Sequence, residues 1–281
     1  MNPECWKRTL AECREHKTYA MQMAHEAESL MNPKIFEMIS QAREAGIIEI
    51  GLHTNANLLL PKVSEKLIDA GLTKINFSLD AATSDTYSKV RVGGNYEKTI
   101  NNIHTFLKIK MERNAEYLRT RVSFVEQEDN IDEKGAFYEM WKDTPGLNFI
   151  AFQEMIDFGP FEYPDSDWDK PGSEMAAKYA KEKSFHCSHP WEMPIIDVEG
   201  NVNPCGAPVR SHTRSFSLGN LLKGDTISSC WNGDKMQQVR SLHNRGEWYK
   251  NNMCRVCVKS LRQSHEDLVD VENKLDVNAE K

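Results

Sequence analysis

Long hydrophobic runs are missing from this 281-residue sequence, and so is any excess of basic residues. No apolar run approaches the about 18 residues that a membrane-spanning helix requires, and the N-terminal residues are too polar for a secretory signal peptide. Acidic residues outnumber basic ones by 42 to 35 and are scattered, which gives a net charge of −7. This distribution does not suit a nucleic-acid-binding surface. We therefore expect a cytoplasmic protein that binds neither a membrane nor nucleic acid.

Cysteine is scarce and unevenly placed. The sequence contains 7 cysteines, an odd number, and none of them lies between Cys13 and Cys187. Without an export signal the simplest location is the reducing cytoplasm, where clustered cysteines bind metal more often than they form disulfides. A disulfide framework is therefore the weakest interpretation of the cysteines.

The C-terminal cysteines have a regular spacing. Twelve residues separate Cys187 from Gly200, and four separate Gly200 from Cys205. Cys254 and Cys257 follow as a C-x2-C pair. Gly200 suits a tight hairpin turn, which would bring the first two thiols together. Four thiolates suit either structural zinc or a 4Fe–4S cluster, and the spacing alone favours zinc.

The first half of the sequence alternates strand patterns with helix patterns. Long helical segments between successive strands imply βα units with parallel pairing and right-handed crossovers. An amphipathic segment, residues 3–16, precedes the first strand. The predicted strands are 17–24, 47–55, 74–80, 119–127 and 147–156, and the predicted helices are 32–46, 60–71, 95–112 and 132–143.

The alternation stops at residue 156. Residues 157–174 are rich in proline, glycine and aspartate and are expected to form a linker or surface loop. The cysteine-bearing segment follows, and the charged stretch from Ser264 is expected to be a helical or frayed tail.

Polar residues follow each of the first four predicted strands, in AESLMNP, HTNANLL, SLDAAT and EQEDN. Ligands of parallel α/β sheets bind at the carboxyl ends of the strands. Asn, Asp, Ser and Thr also open helices at such positions. The residues alone therefore fit either a ligand site or ordinary helix capping.

A resemblance to radical S-adenosylmethionine (radical SAM) enzymes is carried by three segments in order, AESLMNPKIFEMISQAREAGI, TNANLL and GLTKINFSLDAATSDTYSKVRVGGNYEKTINNIHTF. The C-terminal segments CSHPW, DVEGNVNPC, LGNLLKGDTISSCWNGDKMQQVRSLH and CRVC are similar to the SPASM or shorter twitch domain of many such enzymes. The resemblance spans about residues 19–260. It implies an α/β fold, a partial (βα)6 TIM-like barrel lacking its first strand, joined to a small cysteine-rich SPASM/twitch domain.

The resemblance assigns SAM binding to residues at the strand ends. Glu28 matches the glutamate that holds the amino group of SAM, although Ala27 and Ser29 replace the family's flanking glycine and proline. Ser78 and Asp80 correspond to the position that meets the ribose hydroxyls. The remaining cofactor-binding candidates are Thr54, Asn55, Ser123 and Gln127, of which the last two are nearer the adenine.

The same resemblance changes the favoured metal from zinc to iron–sulfur. It implies one auxiliary 4Fe–4S cluster held by Cys187, Cys205, Cys254 and Cys257. No cysteine follows the last of these, so a second auxiliary cluster is not expected. Cys230 lies where the family has an ordinary residue and is expected to be a small buried hydrophobe.

One element of the family pattern is absent. Radical SAM enzymes bind a second 4Fe–4S cluster, which cleaves SAM, through a C-x3-C-x2-C loop, and this sequence contains none. Upstream of Glu28 only Cys5 and Cys13 occur. We expect that the sequence starts inside a longer product, and that this second cluster is present only if an upstream segment exists. A degenerate, non-catalytic member is the alternative.

The expected organisation is an incomplete radical SAM core over 1–160, a linker over 161–183, a SPASM/twitch domain over 184–262 and a charged tail over 263–281. The intact enzyme would generate a 5′-deoxyadenosyl radical from SAM and abstract hydrogen from a small-molecule or peptide substrate. Its electron donor would be a flavodoxin or a ferredoxin. A zinc-stapled α/β binding protein without redox chemistry is the alternative from another functional class.

Overall fold

The computed structural model describes residues 1–23, 27–155, 187–206, 216–251, 253–254, 266–272 and 275–276. The chain divides into two compact units. The barrel unit consists of His16–Met155 and Ser264–Lys281, and the cysteine unit consists of Met1–Glu15 and Ile156–Gln263.

These units correct two of the predicted domain boundaries. Met1–Glu15 was placed in the core at 1–160 but groups with the C-terminal cysteine segment, and the tail at 263–281 groups with the core. The segments 24–26 and 156–186, which include the linker predicted at 161–183, lie outside the described residues.

Strands and helices alternate through the barrel unit as the sequence predicts. The strands are β1 (Ala20–Gln22), β2 (Glu49–Thr54), β3 (Lys74–Ser78), β4 (Arg119–Glu126), β5 (Phe149–Glu154), β6 (Ile195–Ile196), β7 (Asn201–Asn203), β8 (Gly219–Asn220), β9 (Glu266–Asp270) and β10 (Leu275–Asp276). The α-helices are α1 (Pro3–Glu15), α2 (Ile35–Glu44), α3 (Pro61–Asp69), α4 (Ser84–Val90), α5 (Tyr96–Glu112), α6 (Lys134–Trp141), α7 (His189–Glu192), α8 (Ile227–Asn232) and α9 (Asp234–Asn244). Short 3-10 helices are Ser29–Met31, Ile131–Glu133, Leu221–Lys223 and Trp248–Lys250.

The described part of the barrel unit forms a seven-stranded sheet in the order β1-β2-β3-β4-β5-β9-β10. Strands β1 to β5 are parallel neighbours, which confirms the predicted βα series. Strand β9 pairs antiparallel with β5, with Ala151 opposite Leu268, and β10 pairs with β9. The tail predicted as helical or frayed is therefore partly strand, because the backbone of β5 offers it a free edge.

The two faces of the parallel sheet differ in polarity. Successive side chains of a strand point to opposite faces, and one face carries buried apolar residues that pack on helices. Phe77 of β3 lies edge-on to Phe106 of α5, with ring centroids 5.5 Å apart. Phe124 of β4 lies 4.9 Å from Phe137 of α6. The other face is polar and carries His53, Asn76, Ser78, Arg121 and Ser123. A TIM-like barrel places such a face in its interior.

The cysteine unit has its own small core. The hairpin β6–β7 turns at Gly200, whose φ of 83° is in the left-handed region that favours glycine, as the sequence predicts. Strand β8 pairs with β7. The core consists of Cys5, Val202, Leu218, Leu221, Cys230 and Met236. The prediction that Cys230 is a small buried hydrophobe is confirmed.

Helix α1 is part of this small core through its polar side chains as well. Arg8 donates from Nη1 to the carbonyl of Leu221 at 2.8 Å. The carboxylate of Glu12 accepts the N–H groups of Ile227 and Ser228, at 2.8 and 3.0 Å, in the first turn of α8. Amide groups at a helix N-terminus lack intrahelical partners, so a carboxylate there is stabilising. These contacts explain why α1 belongs to the cysteine unit.

No helix within the described residues has both the length and the apolar composition that a membrane crossing requires.

A buried lysine closes the amino-terminal edge of the sheet. Lys110 of α5 is 5% exposed, and its Nζ donates to the carbonyl of Gly146 and to Oδ1 of Asn148, both at 2.8 Å. Burial lowers the pKa of Lys110 to about 8. Asn148 in turn donates to Glu272, which follows β9, at 2.8 Å. The lysine thus supports both the parallel sheet and the antiparallel strand beside it.

The first prediction concerns the pH dependence of stability. The pKa of Lys110 is about 8 in the folded state against 10.5 when unperturbed, so between these values the unfolded chain binds more protons. Its contribution to the free energy of unfolding should therefore rise with pH in this window, by at most about 1.4 kcal/mol per pH unit. Urea unfolding of wild type and Lys110→Met from about pH 7 to 10 measures the difference.

Lys108→Met is the matched control, because Lys108 lies on the same helix with 76% of its side chain exposed. It should keep the wild-type pH profile. Parallel profiles for wild type and Lys110→Met would contradict the assignment.

Candidate functional site

Glu28 joins two of the predicted strand-end segments. It precedes the 3-10 helix Ser29–Met31, and its Oε1 accepts the N–H of Leu30 at 3.0 Å and the hydroxyl of Thr54 at 2.8 Å. Its Oε2 accepts the N–H of Asn55 at 2.7 Å. The structure therefore brings Glu28, Thr54 and Asn55 together, three of the predicted cofactor-binding residues.

This arrangement leaves Glu28 with acceptor capacity to spare. A carboxylate offers about four acceptor positions, and the side chain is only half-buried. Thr54 and Asn55 are held by their own turn, because Thr54 Oγ1 accepts the N–H of Ala56 and Asn55 Oδ1 accepts that of Asn57, each at 3.0 Å. The carboxylate is thus fixed in place while part of it can still contact a ligand.

Asp80 lies at the carboxyl end of β3 and is fully engaged by the protein. It is 2% exposed, and its φ of 63° is left-handed, which is uncommon for a residue other than glycine. Oδ1 accepts the N–H of Val125 at 2.8 Å, and Oδ2 pairs with Nη2 of Arg91. Burial raises the pKa of Asp80, and the Arg91 guanidinium opposes that rise.

Asn130 stabilises the unusual backbone at Asp80. This buried side chain donates from Nδ2 to the carbonyls of Asp80 and Val125, both at 2.9 Å. Its Oδ1 accepts the N–H of Gln127 at 2.7 Å. Asn130 therefore links the turn after β3 to the turn after β4.

Glu133 connects the same two turns one helical turn later. Oε2 accepts the N–H groups of Ala82 and Thr83, at 2.7 and 3.2 Å, and Oε1 accepts the hydroxyls of Thr83 and Thr86, at 2.5 and 2.7 Å. Burial opposes ionisation, but the hydrogen bonds from Thr83 and Thr86 outweigh it, so the pKa of Glu133 is lowered. Glu133 caps the start of α4 from a position about fifty residues away.

Sequence reasoning missed Asn130 and Glu133. The signal was the N-x-x-E spacing at the start of a predicted helix, which is typical of helix N-termini. Their partners are distant in sequence, so the spacing alone does not reveal them.

The remaining candidates lie on or beside β3 and β4. Ser78 is paired in register with Ser123 and is half-buried. The Ser123 hydroxyl donates to Oδ1 of Asn76 at 2.7 Å, which also accepts Nε of Arg121 at 3.2 Å. The backbone of Gln127 is fixed by Asn130. Ser78 and Gln127 are thus the more accessible members of this group.

The structure describes three of the four predicted metal-binding cysteines, and the fourth, Cys257, lies outside the described residues. Cys205 packs against the apolar cluster of Val239, Met253 and Cys254. Cys187 is half-buried, and burial raises the pKa of its thiol. All three belong to the cysteine unit.

Their chemistry fits an iron–sulfur cluster better than their present arrangement does. Thiols are the ligands that such clusters use. Within the residues that the structure describes, no three His, Cys, Asp or Glu side chains are arranged to hold a metal ion. The pairing of Cys205 with the Cys254 cluster therefore gives the start of a site whose completion involves Cys187 and the undescribed Cys257.

Comparisons with known proteins match both parts of the chain. The family model of the radical SAM superfamily matches residues 2–122, and the SPASM model, an iron–sulfur cluster-binding domain, matches residues 187–258. The chain belongs to the radical SAM superfamily and carries a SPASM domain. The strand ends that hold Glu28, Asn55 and Asp80 all lie within the radical SAM match.

Curated relatives of this radical SAM protein align over part of their length. A probable GTP 3′,8-cyclase of Methanocaldococcus jannaschii is 29% identical over 135 residues, which are 48% of this chain and 41% of the relative. An AdoMet-dependent heme synthase of Methanosarcina barkeri is 29% identical over 129 residues, 44% of this chain and 34% of the relative. The chain thus spans less than half the length of these relatives.

Solved structures share the fold at low sequence identity. The enzyme anSMEcpe with bound AdoMet gives a TM-score of 0.60 at 14% identity, covering 90% of this chain and 79% of its own. BtrN in complex with AdoMet and 2-DOIA gives 0.51 at 15%, covering 90% and 78%. Streptococcus suis SuiB bound to its precursor peptide SuiA gives 0.55 at 14%, covering 85% and 60%. These similarities confirm the α/β, partial-barrel class of fold.

The second prediction concerns Glu133. Glu133→Gln should lower the free energy of unfolding by about 1–2 kcal/mol at neutral pH, because an amide cannot accept all the hydrogen bonds of the carboxylate. The loss should shrink as the pH falls below about 4.5, since the lowered pKa of Glu133 favours folding only above that value. Urea unfolding monitored by circular dichroism measures both effects.

Glu139→Gln serves as the control, because Glu139 is an exposed residue of α6 that pairs with Lys142. It should unfold like wild type. Equal stability of the Glu133 and Glu139 variants would show that Glu133 does not hold the two turns together.

Proposed function

We propose that this chain provides the SAM-binding half-barrel and the auxiliary iron–sulfur unit of an enzyme that cleaves SAM reductively. The observation that carries the proposal is the hydrogen-bonded group of Glu28, Thr54 and Asn55 at the carboxyl edge of the parallel sheet. In parallel α/β sheets that edge is where ligands bind. The family membership supplies the identity of the ligand.

Each side chain at this edge has a role in the proposal. Glu28 uses its spare acceptor position for the ammonium of SAM, a charge-assisted hydrogen bond. Ser78 and Gln127, which are half-buried, contact the ribose and the adenine. Asp80 is too buried to offer much surface to a ribose, so we assign it to positioning, with Arg91 and the Val125 amide as its partners.

The chemistry of the enzyme comes from its cofactors. One electron from a reduced 4Fe–4S cluster cleaves bound SAM into methionine and a 5′-deoxyadenosyl radical, which takes a hydrogen atom from the substrate to give 5′-deoxyadenosine. The polar sheet face orients SAM for this step, and the apolar face holds the sheet against its helices. No C-x3-C-x2-C motif occurs in the sequence. We therefore expect that three further thiolates are needed for radical formation.

The substrate class is a small molecule or a peptide. Two structural relatives illustrate the choice, since BtrN was solved with 2-DOIA and SuiB with a precursor peptide. A flavodoxin or ferredoxin is the proposed electron donor. Fold does not decide among these substrates, because one fold hosts many reactions.

The third prediction separates the cluster ligands from the other cysteines. After anaerobic reconstitution the chain should contain about four irons and four sulfides, held by Cys187, Cys205, Cys254 and Cys257. Cys205→Ser should lose most of this iron, whereas Cys230→Ser should keep it, because Cys230 is a core residue. Iron and acid-labile sulfide analysis measures both. Equal loss from the two variants, or zinc in place of iron, would contradict the assignment.

The fourth prediction concerns SAM cleavage. The reconstituted 281-residue chain, reduced with dithionite, should release no 5′-deoxyadenosine above a protein-free control, because its proposed cysteines saturate the one cluster. The same chain preceded by a segment with a C-x3-C-x2-C loop should release it slowly without substrate. Chromatography of the nucleoside products measures the outcome. Release from the short chain would refute this division of roles, and an inactive longer chain would favour a non-catalytic member.

A further inference from the structure

A buried histidine touches one of the proposed cluster ligands. His243, near the end of α9, is 1% exposed, and its Nε2 lies 3.4 Å from Sγ of Cys254, which is 8% exposed. The Trp191 ring meets the imidazole edge-on, with centroids 6.1 Å apart. Val239, one helical turn before His243, and Met253 pack around Cys254. The contact is therefore enclosed by apolar side chains.

The direction of this hydrogen bond follows from the state of the sulfur. A thiol can donate to an imidazole nitrogen, but a cysteine that ligates metal is a thiolate and has no hydrogen to donate. With a cluster bound, the imidazole must be the donor, from Nε2–H to Sγ. The 3.4 Å separation is long for an oxygen acceptor and suits the larger sulfur atom.

Direct coordination of metal by His243 is the competing role. It would require at least one more ligand beside His243 and Cys254, and among the described residues no group of three His, Cys, Asp or Glu side chains is arranged for this. The cysteine thiols already suffice for one cluster. A hydrogen bond to a ligand sulfur is also a typical way for a protein to tune an iron–sulfur centre.

We propose that His243 donates an N–H···S hydrogen bond to Cys254 and so raises the reduction potential of the auxiliary cluster. This inference rests on the proposed function, because it needs Cys254 as a ligand. Reduction adds one electron, and thus one negative charge, to the cluster, and a donor aimed at a ligand sulfur stabilises the reduced form more than the oxidised form. His243 itself is neither oxidised nor reduced.

His189 provides a matched control. It lies two residues from another proposed ligand, Cys187, but 51% of its side chain is exposed and its Nδ1 pairs with Glu192 at 3.0 Å. Replacing it changes a nearby histidine without changing the contact at Cys254. A general effect of removing imidazole from this unit would therefore appear in both variants.

The fifth prediction is tested by potentiometric titration of the reconstituted full chain, followed by electron paramagnetic resonance of the reduced cluster. His243→Leu should shift the midpoint to a more negative potential, and His243→Gln, which keeps an N–H donor, should lie closer to wild type. His189→Leu should titrate like wild type. Identical midpoints for wild type and His243→Leu would overturn the inference.

A second measurement decides the matter if His243→Leu fails to hold a cluster. In wild-type protein labelled with 15N-histidine, electron–nuclear double resonance of the reduced cluster should show a weak nitrogen coupling that His189→Leu retains. Absence of any coupling, or a strong one typical of direct coordination, would overturn the inference. A wild-type chain that binds no iron would overturn the proposed function and this inference with it. A loaded cluster without the coupling overturns the inference alone.

Discussion

The buried carboxylate of Asp80 is the constraint on which the carboxyl edge of the sheet depends. It sits in a left-handed backbone conformation at the end of β3 and binds Val125 of β4 and Arg91 after α4. Such a conformation persists only where its surroundings enforce it. Asn130 and Glu133 supply that enforcement from the turn after β4. Neighbouring strand ends are therefore fixed relative to each other before any ligand arrives.

The same principle operates at Glu28 and in the cysteine unit. Carboxylates accept backbone N–H groups that would otherwise lack partners, at Asn55 beside Glu28 and at the start of α8 beside Glu12. Charge-assisted bonds of this kind are stronger than neutral ones. In the barrel unit they order a candidate cofactor site, and in the cysteine unit they hold α1 against the small core. One kind of interaction thus serves both function and folding.

Much of the barrel unit can be predicted from sequence because its signals are local. Strand and helix periods identify β2 to β5 and the helices between them, and the glycine spacing identifies the turn at Gly200. Long-range pairing escapes such reasoning. The partner of β9 lies more than a hundred residues upstream, and its charged sequence hides the strand. The ligands of Glu133 are about fifty residues away, so its capping role was invisible, whereas Glu28 was found through the family resemblance.

The central claim is that SAM binds at the carboxyl edge of the parallel sheet. Titration of the 15N-labelled protein with SAM, followed by nuclear magnetic resonance, tests it most directly. The account predicts that the amide signals of Asn55, Ser78 and Asp80 shift with SAM concentration, while those of Lys74 and Arg119 at the opposite edge do not. Shifts confined to the opposite edge, or no shifts at any concentration, would contradict it.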